Sequence, residues 1–190
     1  MRCKRPVLRV ARSTTVECEL ERTDVAAMLR RLYDRGLTTT SGGNVSLRCS
    51  SDRFVITPGA LDKGTMTPDS IAIIALDGTN LTPPIRPSSE CVMHQRLYER
   101  YPQVRAVVHA HPATACALTC ADVRIDLDLV CETYALVEPP ALVPYARSGS
   151  LALAEAVAEA IEHTSCALLQ NHGVVTVGGT LLQAFTRMEL

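Results

Sequence analysis

The sequence predicts a single α/β domain whose sheet is antiparallel at least in part. Three observations carry this reading. Apolar residues recur at helical spacing in Val25, Met28, Leu29, Leu32 and Tyr33, and again in Leu151, Ala154, Val157, Ala158 and Ile161, marking two amphipathic helices. The strand-like runs 45–48 and 53–56 flank a Ser50-Ser51-Asp52 turn and read as a hairpin. A chain of 190 residues, 47% of them hydrophobic, suffices for one sizeable core and is too short to presume two.

The elements run in order along the chain. Residues 1–16 carry Arg2, Lys4, Arg5, Arg9 and Arg12 without an acid, and read as a basic, disordered leader ahead of a domain over 17–190. Thr23-Asp24 offers an N-cap for the first helix and Gly36 a stop. After the hairpin, Thr67 to Ser70 is a short helical start and Ile71 to Leu76 a buried strand closed by Asp77-Gly78. Prolines keep 83–87 extended, and Ser88-Ser89 caps a helix from Glu90 to about Tyr101 in which His94 reads as an ordinary helix residue. Val104 to His109 is a strand, and Pro112 to Thr119 a helix with Cys116 and Cys120 in the core. Val123 to Val130 alternates like a strand, and Pro139-Pro140 interrupts the stretch beyond it. Ser148-Gly149-Ser150 caps a helix through His163, whose cationic C-terminal position suits the surface. Two short strands then surround Asn171-His172-Gly173. Thr180 opens a last helix, apolar at Leu181, Leu182, Ala184, Phe185 and Met188. Its pattern is unfinished at Leu190, so the domain is expected to be short at its C-terminus, either with a more open site and lower activity than longer relatives or with a neighbouring subunit covering the exposed Phe185 and Met188 face.

Composition removes several function classes. With Lys+Arg 19 against Asp+Glu 20 the net charge is −1, so no global field favours nucleic acid or a membrane surface. No apolar run approaches the ~18 residues of a membrane span, and no hydrophobic signal region opens the chain, which makes the cytoplasm the expected address. Eight cysteines without a C-x-x-C pair indicate free thiols, not a disulfide scaffold.

Chemistry concentrates in a few stretches. In Val107-Val108-His109-Ala110-His111-Pro112, positions i and i+2 share one strand face, so His109 and His111 can aim both imidazoles into one pocket. Such a pair is either the start of a metal site or two satisfied histidines. His172, in a tight junction before Gly173, is a third imidazole placed by backbone geometry. Glu90 stands in the first turn of its helix, where a carboxylate offsets the dipole; near three imidazoles it becomes a ligand or a base. The loops Thr38 to Asn44 and Thr57 to Ala60 suit an anion or are plain loops, and Ser88-Ser89 combines hydroxyls with the free amides of a helix start.

These residues together resemble the class II aldolase/adducin family. The marks are Ser41-Gly42-Gly43-Asn44-Val45-Ser46, Ile56-Thr57-Pro58, Pro87-Ser88-Ser89-Glu90, Val108-His109-Ala110-His111 and Leu169-Gln170-Asn171-His172-Gly173, in that order from about Asp24 onward. The resemblance implies a three-layer α/β/α sandwich around a mostly antiparallel sheet, assembled as a homotetramer. It implies one Zn2+ per chain on His109, His111 and His172, with Glu90 as an acid/base that also touches the metal. Gly43, Asn44, Gly59, Ala60, Ser88 and Ser89 match the phosphate-binding segments. The implied activity is a lyase that reversibly cleaves a small phosphorylated ketose through a zinc-stabilised enediolate; dehydration, 4-epimerisation or decarboxylation on the same site is the alternative. For this task the Glu90 pKa should rise on desolvation. A non-enzymatic adducin-like module is the other class, and it predicts lost metal ligands where this chain keeps all four residues. The chain departs from the pattern in having Ala60 where the family has glycine, strained if φ is positive. The family's proton-donating tyrosine would fall near Val130, with Tyr134 the nearest tyrosine present. Glu90 itself fits the aldolase and dehydratase branches, since the epimerases carry aspartate there.

Overall fold

The computed structural model describes residues 18–121 and 131–190. The basic leader, the strand expected within 123–130 and the tyrosine position near Val130 lie outside them. The elements are α1 (Glu19–Asp34), β1 (Asn44–Arg48), β2 (Arg53–Ile56), β3 (Ala72–Ala75), α2 (Cys91–Arg100), β4 (Ala106–Ala110), α3 (Ala113–Cys120), α4 (Cys131–Leu136), β5 (Ala141–Val143), α5 (Leu151–Ala160), β6 (Cys166–Leu169), β7 (Gly173–Gly178) and α6 (Leu181–Glu189). The strands form one sheet in the order β3-β2-β1-β4-β7-β6-β5. Every neighbouring pair is antiparallel except β5 and β6.

Strand alternation divides the core into two layers, giving the three-layer α/β/α sandwich. Val45, Leu47, Val55, Ile73, Ala106 and Val108 face one side, where α1 and α6 cover them with Leu29, Leu32 and Phe185. Phe54, Ile56, Ile74, Val107 and Val175 face the other side, under Leu97 of α2 and Val157 of α5. On β1 this second face is polar: Asn44 and Ser46 are buried there. Buried polar groups need partners, and α2 supplies them.

Several boundaries differ from the sequence reading. Helix α1 begins at Glu19, because Glu19 and Glu21 suit its first turn; Thr23 lies inside it and donates its hydroxyl to the Glu19 carbonyl. Helix α2 begins one residue later than expected, with Glu90 at the N-cap and the Ser88 hydroxyl accepting the Glu90 N–H at 3.2 Å. Ser150 caps α5 as its sequence suggested, accepting the Leu153 N–H. Cys116 is only half-buried and Cys120 exposed, so neither is a core residue. His163 is exposed. The expectation of an exposed Phe185 and Met188 face is corrected: these are 0% and 5% exposed, because α6 folds back on the sheet and α1. Each such buried side chain contributes about 1.5–3 kcal/mol. Among the described residues no helix is long and apolar enough to cross a membrane.

Candidate metal centre

His109 is the penultimate residue of β4, on the α2 side of the sheet, and is fully buried. Its Nδ1 lies 2.9 Å from the carbonyl of Val174, which can only accept, so Nδ1 carries the proton and Nε2 keeps a lone pair. His111 lies one residue past the strand, where its backbone N–H donates to the Leu37 carbonyl at 3.0 Å. That residue brings the two Nε2 atoms to 3.0 Å from each other. His172 sits in the three-residue connection between β6 and β7, after Asn171 at φ +57. Asparagine tolerates this left-handed conformation, and the His172 N–H closes the turn on Leu169. The ligating atoms of His109, His111 and His172 all lie within 4.8 Å of one another. Gly173 makes this possible: a Cβ there would stand 2.5 Å from the Ala110 carbonyl and 2.6 Å from the His111 ring.

Glu90 closes the cluster. Its Oε2 lies 3.0 Å from His109 Nε2 and accepts from the Asn44 side-chain amide at 2.9 Å. Its Oε1 lies 3.5 Å from His172 Nε2 and accepts from the Ser148 hydroxyl at 3.0 Å. Burial raises the Glu90 pKa, yet the hydrogen bond and charge of His109, the Asn44 amide and the charge of His172 outweigh it and hold the carboxyl well below the usual range. This corrects the expected rise: desolvation is present, but the acid is compensated by donors and charge. Burial and the neighbouring imidazoles push His111 down to about 4 and lower His172 as well. Both rings are therefore neutral near pH 7, the state in which imidazole donates a lone pair.

The donor set fits a divalent cation. With Nδ1 turned to the Val174 carbonyl, His109 presents Nε2 to a carboxylate oxygen and a second imidazole nitrogen, each at 3.0 Å. Imidazole nitrogens and a carboxylate converging on one point are the donor set that a divalent cation takes. Ligands about 2.0–2.1 Å from a shared tetrahedral ion lie roughly 3.3 Å apart. The contacts of 3.0 and 3.5 Å around Glu90 bracket that spacing.

The segments expected to hold phosphate converge only in part. The Thr57 to Ala60 loop lies along 86–89, with the Ser88 N–H donating to the Thr57 carbonyl and the Gly59 N–H to that of Arg86. Gly59 thus stands beside Ser88 and Ser89 at the start of α2, with Ala60 next in the loop. Ala60 has φ +57, the strained conformation anticipated for it. The Asn44 side-chain amide is turned to Glu90 and His94, at 2.9 and 2.5 Å. Gly43, at φ +68, is held against the His109 carbonyl, where a Cβ would be 2.8 Å away; its conformation serves that close approach. Three residues near the site escaped the sequence reading. They are His94, Ser148 and Lys63, a buried lysine whose ammonium donates to the Pro58 carbonyl beneath the small-residue loop.

The family model "Class II Aldolase and Adducin N-terminal domain" matches residues 23–190. The chain belongs to this family. Among curated members, it is 36% identical over 171 residues to an L-fuculose phosphate aldolase of Methanococcus maripaludis, covering 90% of this chain and 92% of that one. It is 32% identical to a 3-oxo-tetronate 4-phosphate decarboxylase of Haemophilus influenzae, covering 84% and 78%. The crystal structure of L-fuculose-1-phosphate aldolase from Thermus thermophilus superposes with a TM-score of 0.77 at 29% identity, over 90% of this chain and 88% of the other. These class II aldolase relatives are enzymes, aldolases and decarboxylases, so the family resemblance extends to a lyase or decarboxylase class of activity.

Proposed function

We propose that this class II aldolase-family chain is a zinc-dependent lyase that breaks the bond between the α and β carbons of a small phosphorylated ketose. The observation that carries the reading is Glu90, a buried carboxylate in contact with two of three clustered imidazoles. His109, His111 and His172 would hold the ion, with Glu90 at its edge, and a nitrogen-rich set suits zinc. A divalent cation bound there supplies a Lewis acid that offsets enediolate charge by several kcal/mol.

The chain's own groups divide the remaining work. The Asn44 amide can only donate to Glu90 Oε2, whereas the Ser148 hydroxyl on Oε1 can rotate and accept, so Oε1 is the oxygen assigned to take and return the proton. Ser89 is exposed at the start of α2 beside Gly59, where its hydroxyl and the helix dipole favour a phosphate. Phosphate held there supplies binding energy remote from the reacting carbons.

Decarboxylation is the second reading, favoured by the 32% identity to the 3-oxo-tetronate 4-phosphate enzyme and by the lack of tyrosine at position 130. Loss of CO2 needs no proton donor for an aldehyde oxygen. The two reactions share a product: cleaving L-fuculose 1-phosphate or decarboxylating a 3-oxo-tetronate 4-phosphate leaves the enediolate of dihydroxyacetone phosphate. The same reading carries a homotetrameric, cytoplasmic enzyme. Incubating zinc-loaded protein with each substrate and assaying aldehyde and CO2 tests it. Metal-dependent release of either product supports the lyase; release of neither contradicts it.

A further inference from the structure

We infer that His94 is a positioning residue for Glu90, acting through the side-chain amide of Asn44. The inference rests on the reading of Glu90 as the acid/base. His94 lies in α2, one helical turn after Glu90, and is fully buried between the helix and β1. Its Nε2 lies 2.5 Å from Asn44 Oδ1, and its Nδ1 lies 2.6 Å from the Ser46 hydroxyl. Ser46 in turn lies 2.7 Å from the Tyr98 hydroxyl. Asn44 and Ser46 are i and i+2 on β1, and His94 and Tyr98 are i and i+4 on α2, so strand and helix periods put all four on one contact line.

The direction of this chain is dictated from its Glu90 end. An ionised carboxylate only accepts, so Asn44 must turn its NH2 toward Glu90 and its carbonyl toward His94. His94 must then carry its proton on Nε2 and accept from Ser46 on Nδ1. In the opposite direction, the protonated Nε2 of His94 locks the Asn44 carbonyl and prevents the amide from flipping its oxygen toward Glu90. A flipped amide would oppose two acceptors at 2.9 Å and would demand that Oε2 be the protonated oxygen. The His94 donor therefore fixes the Asn44 amide as a donor to Oε2, while the Ser148 hydroxyl on Oε1 stays free to rotate and accept, which leaves proton transfer to Oε1. Aliphatic side chains would fill this helix–sheet interface without desolvating an imidazole, so packing alone does not call for the network.

Two measurements test the assignment. Nitrogen-15 NMR of the His94 ring in the unaltered protein is expected to show a neutral imidazole protonated on Nε2; protonation on Nδ1 alone would overturn the inference. Deuterium exchange into dihydroxyacetone phosphate by zinc-loaded protein supplies the second. His94→Leu should lower the saturated exchange rate about tenfold or more, as outer-shell substitutions do, with little change in half-saturating concentration. His94→Gln, which restores an N–H donor near the Nε2 position, should recover most of it. Wild-type exchange in His94→Leu, or equal damage in a folded His94→Gln, refutes the role. Absence of exchange in the wild type would refute the lyase reading instead, while the tautomer still decides the direction of the chain.

Discussion

Asn44 and His109 stand directly opposite each other in the β1–β4 ladder. A single register therefore fixes both the amide that reaches Glu90 Oε2 and the imidazole that faces the same oxygen. A slip of β1 by one residue would turn Asn44 to the face of the sheet opposite His109. The candidate metal centre is thus a property of strand pairing, with His172 brought in by the neighbouring turn.

The first prediction concerns the ligands. Purified protein should carry about one zinc per chain, and His109→Ala and His172→Ala should lose it in elemental analysis while remaining folded. Full occupancy in both variants would remove the histidines from the metal site.

Gly173→Ala tests the crowding beneath the imidazoles. The added Cβ would meet the Ala110 carbonyl at 2.5 Å and the His111 ring at 2.6 Å, one a rigid backbone atom and the other a candidate ligand. Overpacking of this kind costs about 1–3 kcal/mol. Denaturant titration should show that loss, and zinc competition with a chelator should show weaker binding; unchanged values for both would mean that the turn has slack.

Ala60→Gly should act in the opposite direction. Ala60 is exposed at φ +57. Relief of left-handed strain, roughly 1–2 kcal/mol, exceeds the added unfolded-state entropy of glycine, about 0.4–1 kcal/mol. The midpoint of chemical unfolding should rise by an amount equivalent to about 0.5–1 kcal/mol. A drop would show that the loop prefers alanine for a reason beyond φ.

The pH dependence comes from His94, pushed down to about 3 by burial first and by the nearby His109 charge second. Between pH 6.5 and about 3 the unfolded chain binds a proton that native His94 does not, so the stability is present above 6.5 and falls as the pH drops. The slope from this one group is at most about 1.4 kcal/mol per pH unit. Denaturation of metal-free protein at pH 7 and pH 5 should therefore differ less in His94→Gln than in the wild type. An identical difference would mean that native His94 titrates normally.

Much of the site was legible in the sequence because its signals are local. An H-x-H pair at a strand end, a histidine before glycine in a hairpin turn, and a glutamate after Ser-Ser each declare a backbone geometry within a few residues. His94 and Ser148 were not legible, since their partners lie 50 and 58 residues away and depend on how α2 and the turn before α5 dock on the sheet. His94 has the helix spacing of a surface or core residue, and nothing local separates it from either. The start of α1 was misplaced for a related reason: Thr23-Asp24 is a good capping pair, but buried Cys18 and the acids after it open the helix earlier. The pKa of Glu90 was misjudged because burial can be read from apolar flanks, whereas the donors that compensate it arrive from three distant segments.

Proton exchange at the carbon of dihydroxyacetone phosphate tests the central claim most directly, because aldol cleavage and decarboxylation both pass through its enediolate. Zinc-loaded wild type in heavy water should incorporate deuterium at one position, chelated protein should not, and Glu90→Gln should be slower by at least ~100-fold, the lower range for a positioned acid/base. Exchange that persists unchanged in a metal-loaded Glu90→Gln variant, or that never occurs in the loaded wild type, would contradict the account.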